Sequence, residues 1–72
     1  MPPELRKRAR ACLELLAAAE KLDDLLKWPS LRLNKLRGKR AGQYSIRVNR
    51  QYRICFTWQS GDAEDVELTD YH

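Results

Sequence analysis

Two parts of the sequence contain residue types that could bind a phosphate group or react at it: the last two residues and a basic segment in the middle of the chain. The last two residues are Tyr71 and His72, and the sequence has no other histidine. Residues 54–72 have no lysine or arginine and five acidic residues. Residues 30–53 have no acidic residue and eight basic ones, which are Arg32, Lys35, Arg37, Lys39, Arg40, Arg47, Arg50 and Arg53. A titratable imidazole behind such a segregated cationic block indicates binding, or chemistry, at a phosphate backbone.

Cleavage of RNA without a metal needs three kinds of group. One removes the proton of the 2′-hydroxyl, one stabilises the charge of the transition state, and one protonates the leaving 5′-oxygen. Arginine suits only the second role, because its pKa is above about 12. His72 suits either proton transfer, and Tyr71 could stack on a base or donate to a phosphate. By residue type alone, a terminal histidine is more often a disordered end, and a lone tyrosine is more often a packing residue.

Length and composition limit the classes of protein. A chain of 72 residues allows one domain with a small core. Cys12 and Cys55 have no motif spacing, and there is no second histidine, so neither a disulfide framework nor a metal site nor a cofactor is expected. The sequence shows neither a leader nor an apolar run of about 18 residues, which predicts a cytoplasmic protein without membrane contact.

An amphipathic helix is predicted at the start of the chain. Pro2-Pro3-Glu4 suits a first turn, and apolar residues then recur every three or four positions. Trp28-Pro29 stops the pattern, so the helix is expected to end near Leu26 or Lys27, with a break at Asp23-Asp24. Its basic run is interpreted as a solvated face rather than a contact surface, and consists of Arg6, Lys7, Arg8 and Arg10.

Three segments with alternating polarity predict an antiparallel meander over residues 43–48, 52–59 and 63–71. Asn49-Arg50 and Ser60-Gly61-Asp62 supply the turns. The fold class expected is therefore α+β, with the helix packed on one face of a small sheet. The residues expected to face the helix are Tyr44, Ile46, Val48, Tyr52, Ile54, Phe56, Trp58, Val66 and Leu68.

The same alternation places Arg47, Arg53 and Tyr71 on the sheet face away from the helix, which is left open. These side chains could form a phosphate-binding concavity, with His72 at the end of the strand. Ordinary cross-strand pairing of the two arginines with Asp65 or Glu67 would explain them equally well. The spacing leaves both interpretations open.

Three blocks of the sequence strongly resemble the HigB branch of the RelE/ParE toxin superfamily. They are LRGKRAGQYSIRVN at 36–49, YRICF at 52–56 and DVELTDYH at 65–72, and the likeness extends back to Pro2-Pro3-Glu4. The resemblance implies one helix-on-sheet α+β domain over residues 1–72. It also implies a ribosome-dependent mRNA endonuclease, encoded beside an antitoxin that neutralises it.

The resemblance also implies roles for individual residues. Arg37 stands in place of the family's loop lysine, and Arg53 matches its strand arginine, so both are expected to bind phosphate and stabilise the transition state. Tyr71 and His72 match the terminal pair that positions substrate and transfers protons. Asn34 stands where some members have a histidine. The RNA backbone is expected to contact Arg32, Lys35, Lys39, Arg40 and Arg47.

Members of the family usually begin with a further strand and helix, which this sequence lacks. An open sheet edge and an uncovered apolar stripe would favour pairing with another chain. The expected partners are therefore a HigA-like helix-turn-helix antitoxin, in a tight complex such as a heterotetramer, or a second copy in a homodimer. The ribosome and mRNA are the expected targets.

Two other functions fit the same resemblance. A ParE-like toxin would have this fold but inhibit DNA gyrase by protein contact, without nuclease activity. A shortened, inactive form would only bind the antitoxin. The terminal Tyr71-His72 pair favours the nuclease.

Overall fold

The computed structural model of the chain describes residues 2–70, so Tyr71 and His72 lie outside the described part. The fold is one α-helix on a four-stranded antiparallel sheet, which confirms the predicted α+β class. The strands follow one another across the sheet in chain order. The elements are α1 (Pro3–Ala18), β1 (Asn34–Lys35), β2 (Gln43–Arg47), β3 (Tyr52–Gln59) and β4 (Asp62–Asp70), with 3₁₀ helices at Leu22–Lys27, Pro29–Leu31 and Gly38–Arg40.

Helix α1 ends at Ala18, so the prediction that it continues to Leu26 or Lys27 is wrong. The side chain of Asp24 explains the early end. Its Oδ2 accepts hydrogen bonds from the backbone N–H groups of Glu20, at 2.9 Å, and Lys21, at 3.2 Å. Aspartate competes in this way with the bonds of a continuing helix. Lys21 takes an extended conformation, and Leu22–Lys27 then forms a 3₁₀ helix.

Because of these two bonds, the contribution of Asp24 to stability is expected to depend on pH. The N–H groups of Glu20 and Lys21 lower the pKa of Asp24, because they bind the charged carboxylate. A carboxyl whose pKa is lowered by folding stabilises the fold at pH values above its pKa in the unfolded chain, which is about 3.9. This stabilisation is lost as the pH falls through the pKa of the folded protein. We expect Asp24→Ala to lower the melting temperature near neutral pH, and the deficit to shrink on acidification.

Circular dichroism melting over a series of pH values measures this deficit. Asp23→Ala is the matched control, because it removes the same charge without those two hydrogen bonds. Equal deficits in the two variants at neutral pH would contradict the role given to Asp24.

The core lies between α1 and one face of the sheet. Its buried residues are Leu5, Cys12, Leu16, Leu25, Leu31, Ile46, Val48, Ile54 and Phe56. Tyr44, Tyr52, Trp58 and Leu68 pack against this cluster and are partly buried. The predicted helix-facing positions of β2 and β3 are therefore confirmed.

Val66 lies on the helix side of the sheet, as predicted, where it lines a cavity with Leu13, Leu16 and Ala17 of α1. A bulge in β4 lies directly beside it. Cys55 pairs with Glu67 and Thr57 pairs with Glu64, so Phe56 alone stands opposite two residues of β4, one of which is Val66. The other, Asp65, has a left-handed backbone with φ 52°. The extra residue interrupts the alternation of side chains. Val66 itself is 44% exposed, so it faces α1 without belonging to the buried core.

Candidate functional site

Arg53 is fixed on the sheet face away from α1. Its Nε donates to Oγ of Ser45 at 2.9 Å, and its Nη2 donates to the carbonyl oxygen of Arg32 at 2.8 Å. Ser45 on β2 and its partner Cys55 on β3 lie on this same face and are both buried, so the prediction that the face is left open is wrong at its centre. Both acceptors are neutral, so these two bonds are not the predicted pairing with Asp65 or Glu67. They orient the guanidinium plane.

The backbone of Arg32 has an uncommon conformation. It follows the 3₁₀ helix Pro29–Leu31 and is left-handed, with φ 47° and ψ 55°. Few residues other than glycine adopt this region. The carbonyl that accepts from Arg53 belongs to this residue, while the Arg32 side chain is exposed. The predicted RNA contact at Arg32 therefore lies beside Arg53.

The loop between β1 and β2 is anchored to the sheet by one arginine. Arg40 Nη1 donates to Gln43 Oε1 at 3.3 Å, and Arg40 Nη2 forms an exposed ion pair with Glu67 Oε1 at 3.5 Å. Arg37 and Lys39, in contrast, are exposed to solvent. The loop thus presents these two cations while Arg40 ties it to β4.

Two other predicted RNA contacts are positioned differently from Arg53. Lys35 pairs with Tyr44, a residue that packs against the core, so Lys35 lies on the helix side of the sheet. Arg47 pairs with Arg53 across the strands, in agreement with the prediction that the two lie on the same sheet face. Its Nε, however, donates to the carbonyl of Asn49 at 3.2 Å, in the β2–β3 connection.

A cleft between α1 and the β2–β3 connection contains basic residues that the sequence interpretation missed. Arg8 lines this cleft together with Arg47, and it is exposed, in agreement with the prediction that it belongs to a solvated face. The signal was its spacing of three residues from Leu5 and four from Cys12, both buried. This spacing places Arg8 at the border of the apolar stripe.

Burial raises the pKa of the Cys12 thiol, and the nearby charge of Arg8 opposes that shift. Cys12 and Cys55 are both free and buried, as expected for small core residues. Within residues 2–70, no group of three or more histidine, cysteine, aspartate or glutamate side chains is arranged to hold a metal ion. In that same part of the chain, no helix is long and apolar enough to cross a membrane.

Of the four predicted catalytic residues, the structure describes Arg37 and Arg53 but not Tyr71 and His72. Strand β4 is described as far as Asp70, which pairs with Tyr52, and Thr69 stands opposite Arg53. The roles of all four residues, and the contacts predicted for Arg32, Lys35, Lys39, Arg40 and Arg47, stay predictions.

Comparison with known proteins gives consistent matches. The alignment with Toxin HigB-1 of Vibrio cholerae serotype O1 has 47% identity over 56 residues, which is 78% of this chain and 59% of the relative. The alignment with Endoribonuclease HigB of Proteus vulgaris has 42% identity over 41 residues, 57% of this chain and 45% of the relative. An uncharacterised Haemophilus influenzae protein is 32% identical over 68 residues, 94% of this chain and 67% of its own length.

The matched part of the chain thus spans about 59% of the Vibrio relative and 45% of the Proteus relative. A family match, in contrast, covers the whole of residues 1–72, and the family is described as RelE-like toxin of type II toxin-antitoxin system HigB. Together with the helix-on-sheet fold, these matches show that the chain belongs to the HigB-like family of RelE-like type II toxins.

Proposed function

We propose that this protein is a ribosome-dependent mRNA endonuclease that cuts without a metal ion and thereby inhibits translation. The observation that carries the proposal is the fixed position of the Arg53 guanidinium, which is held between Ser45 and the Arg32 carbonyl on the sheet face away from α1. The relative named Endoribonuclease HigB supports the same reaction class.

In the proposed reaction, the 2′-hydroxyl of the RNA displaces the 5′-oxygen from the adjacent phosphate. The 2′-hydroxyl loses its proton, and its oxygen attacks the adjacent phosphorus. The bond from phosphorus to the 5′-oxygen then breaks, and that oxygen takes up a proton. The products are a 2′,3′-cyclic phosphate and a free 5′-hydroxyl. His72 transfers protons, and Tyr71 positions the substrate beside it.

Arg53 stabilises the negative charge that develops on the phosphate oxygens, and Arg37 binds phosphate from the loop. A donor that is already oriented needs no rearrangement when the charge develops, which is the main source of such stabilisation. The bonds to Ser45 and Arg32 supply this orientation. The exposed cations Lys39 and Arg32 bind the flanking backbone.

A cognate HigA-like antitoxin neutralises the protein in this proposal, and the ribosome presents the mRNA. Both partners, and the cytoplasmic location that translation requires, belong to the proposal. Copurification of the toxin with the product of the adjacent gene tests the antitoxin part.

Expression of the 72-residue chain without antitoxin, followed by primer extension on cellular transcripts, tests the activity. We expect discrete cuts inside translated regions, and we expect Tyr71→Ala and His72→Ala to abolish them because the proton-transfer end of the site is lost. We also expect expression of the chain to arrest growth, and this arrest should disappear in the same variants.

If the two variants cut as well as the parent chain, the active-site assignment is wrong. DNA damage signalling without cut transcripts would identify a gyrase inhibitor instead. Absence of both effects, with retained antitoxin binding, would identify a protein that only binds the antitoxin.

A further inference from the structure

A cationic cleft runs between the first half of α1 and the β2–β3 connection. It consists of two adjoining cavities of about 630 and 790 Å³, which share Arg8, Arg47 and Asn49. Arg32 lines the first cavity, and Lys7 and Arg50 line the second. The cleft therefore collects five basic side chains from three separate parts of the chain.

Little negative charge balances these cations. Glu4 is the one acidic residue that lines either cavity. The ion pairs found within residues 2–70 are Lys27–Asp24 and Arg40–Glu67, and neither includes a residue of the cleft. A concave site with an excess of one sign of charge attracts counter-ions strongly.

The backbone that carries these side chains is well fixed. Arg8 lies within α1, one helical turn from the buried residues Leu5 and Cys12. Asn49 Oδ1 accepts from the backbone N–H groups of Gln51, at 2.9 Å, and Tyr52, at 2.8 Å, which closes the turn that contains Arg50. The positions of Arg8 and Arg50 are thus set by the fold.

Two residues connect the cleft, which lies against α1, with the surroundings of Arg53 on the other face of the sheet. Arg32 lines the first cavity and also gives its carbonyl to Arg53. Arg47 lines both cavities and is the cross-strand neighbour of Arg53. A strand bound at both sites would therefore pass around the sheet at Arg32 and Arg47.

We propose that the cleft is a second phosphate-binding site, which holds the backbone of the RNA strand that flanks the bond cut beside Arg53. This inference rests on the proposed nuclease function. It assigns to Arg8 and Arg50 a direct contact with RNA phosphates, and it makes Arg32 and Arg47 the link between the two sites.

The lining of the cleft favours a sugar–phosphate backbone over stacked bases or an acidic peptide. Its apolar residues include Ala11, Leu15 and Val48, and none of the lining residues is aromatic. Base stacking needs an aromatic platform. An acidic peptide would match the charge of the cleft, but it would not use the connection to Arg53.

Fluorescence anisotropy with a short 2′-O-methyl RNA measures binding without cleavage, since the attacking hydroxyl is blocked. For single strands, each phosphate contact contributes about 0.7 to the slope of log affinity against log salt. We expect the double variant Arg8→Ala, Arg50→Ala to lower that slope by about 1.4. At about 0.1 M salt, the same contacts correspond to a roughly 25-fold loss of affinity.

Arg6→Ala, Arg10→Ala is the matched control, because it removes two arginines of the same helix that line neither cavity. The RNA affinity of this control variant should depend on salt almost as steeply as that of the parent chain. Arg8→Lys, Arg50→Lys keeps the charges and should restore binding, which separates loss of contact from loss of folding. Equal effects of the two alanine pairs would overturn the proposal.

A polyglutamate peptide provides the competing arm of the test. If the peptide binds in an Arg8-dependent manner while the affinity for RNA does not depend on Arg8 and Arg50, the cleft is a peptide site and the proposal is overturned. Arg8- and Arg50-dependent RNA binding by a chain that cuts no transcripts would instead support the cleft while refuting the nuclease.

Discussion

Arg53→Lys is expected to slow transcript cleavage by about 100- to 1000-fold, the loss found when one pre-oriented donor to a developing charge is removed. Lysine keeps the positive charge, but it is a flexible point charge without a planar fork. It cannot donate at once to Ser45 and the Arg32 carbonyl and still face a phosphate in the same geometry. The rate of cleavage of a translated transcript, measured in a cell-free translation reaction, gives the effect.

Arg40→Lys is the control for this experiment. Arg40 reaches the same sheet face through its ion pair with Glu67, but that pair is exposed and its side chain is 41% accessible. Exposed pairs of this kind contribute little to stability. We expect a change of a few-fold at most, and similar losses in the two variants would show that only the total charge of the face matters.

Phe56→Ala is expected to remove most of the stability of the fold. The side chain is fully buried at 0% exposure, with the rings of Tyr44 and Trp58 at centroid distances of 6.0 and 6.5 Å. Replacing a buried phenylalanine by alanine costs about 3–5 kcal/mol. Domains have a free energy of unfolding of roughly 0.05–0.15 kcal/mol per residue, so this loss is a large part of the total.

Urea unfolding followed by tryptophan fluorescence measures the free energy of unfolding of this variant. Val66→Ala is the control, because Val66 is an apolar residue of the sheet that is 44% exposed. We expect it to cost about 1 kcal/mol or less. A larger loss at Val66 than at Phe56 would mean that the core lies elsewhere.

The sequence predicted the sheet well because alternation is a local property. The buried state of Ile46, Ile54 and Phe56 follows directly from the period of two. The bulge beside Val66 could not be predicted, because the alternating pattern continues through that position. The end of α1 was missed for a different reason. The helix ends at Ala18 because Asp24, six residues further along the chain, accepts hydrogen bonds from the backbone N–H groups that follow the helix.

The candidate site was predictable in its residue types but not in its contacts. The sequence identified Arg53 but gave no indication of its bonds to Ser45 and to the Arg32 carbonyl, which depend on strand register and on a left-handed residue. Arg8 is exposed, as its assignment to a solvated face predicted, but the sequence did not distinguish it from its basic neighbours as a residue that lines the cleft. Its position relative to Leu5 and Cys12 was the more informative criterion.

The irregularity in β4 also bears on how the protein behaves at high concentration. Among the described strands, β4 has a neighbour on one side only. Its residues include Asp62, Glu64, Asp65, Glu67 and Asp70. A second β4 aligned along this edge would bring carboxylates close together and would have to match the distorted backbone at Asp65. Charges and bulges of this kind discourage one sheet from extending another, so this edge is protected from fibril-like aggregation by its own sequence.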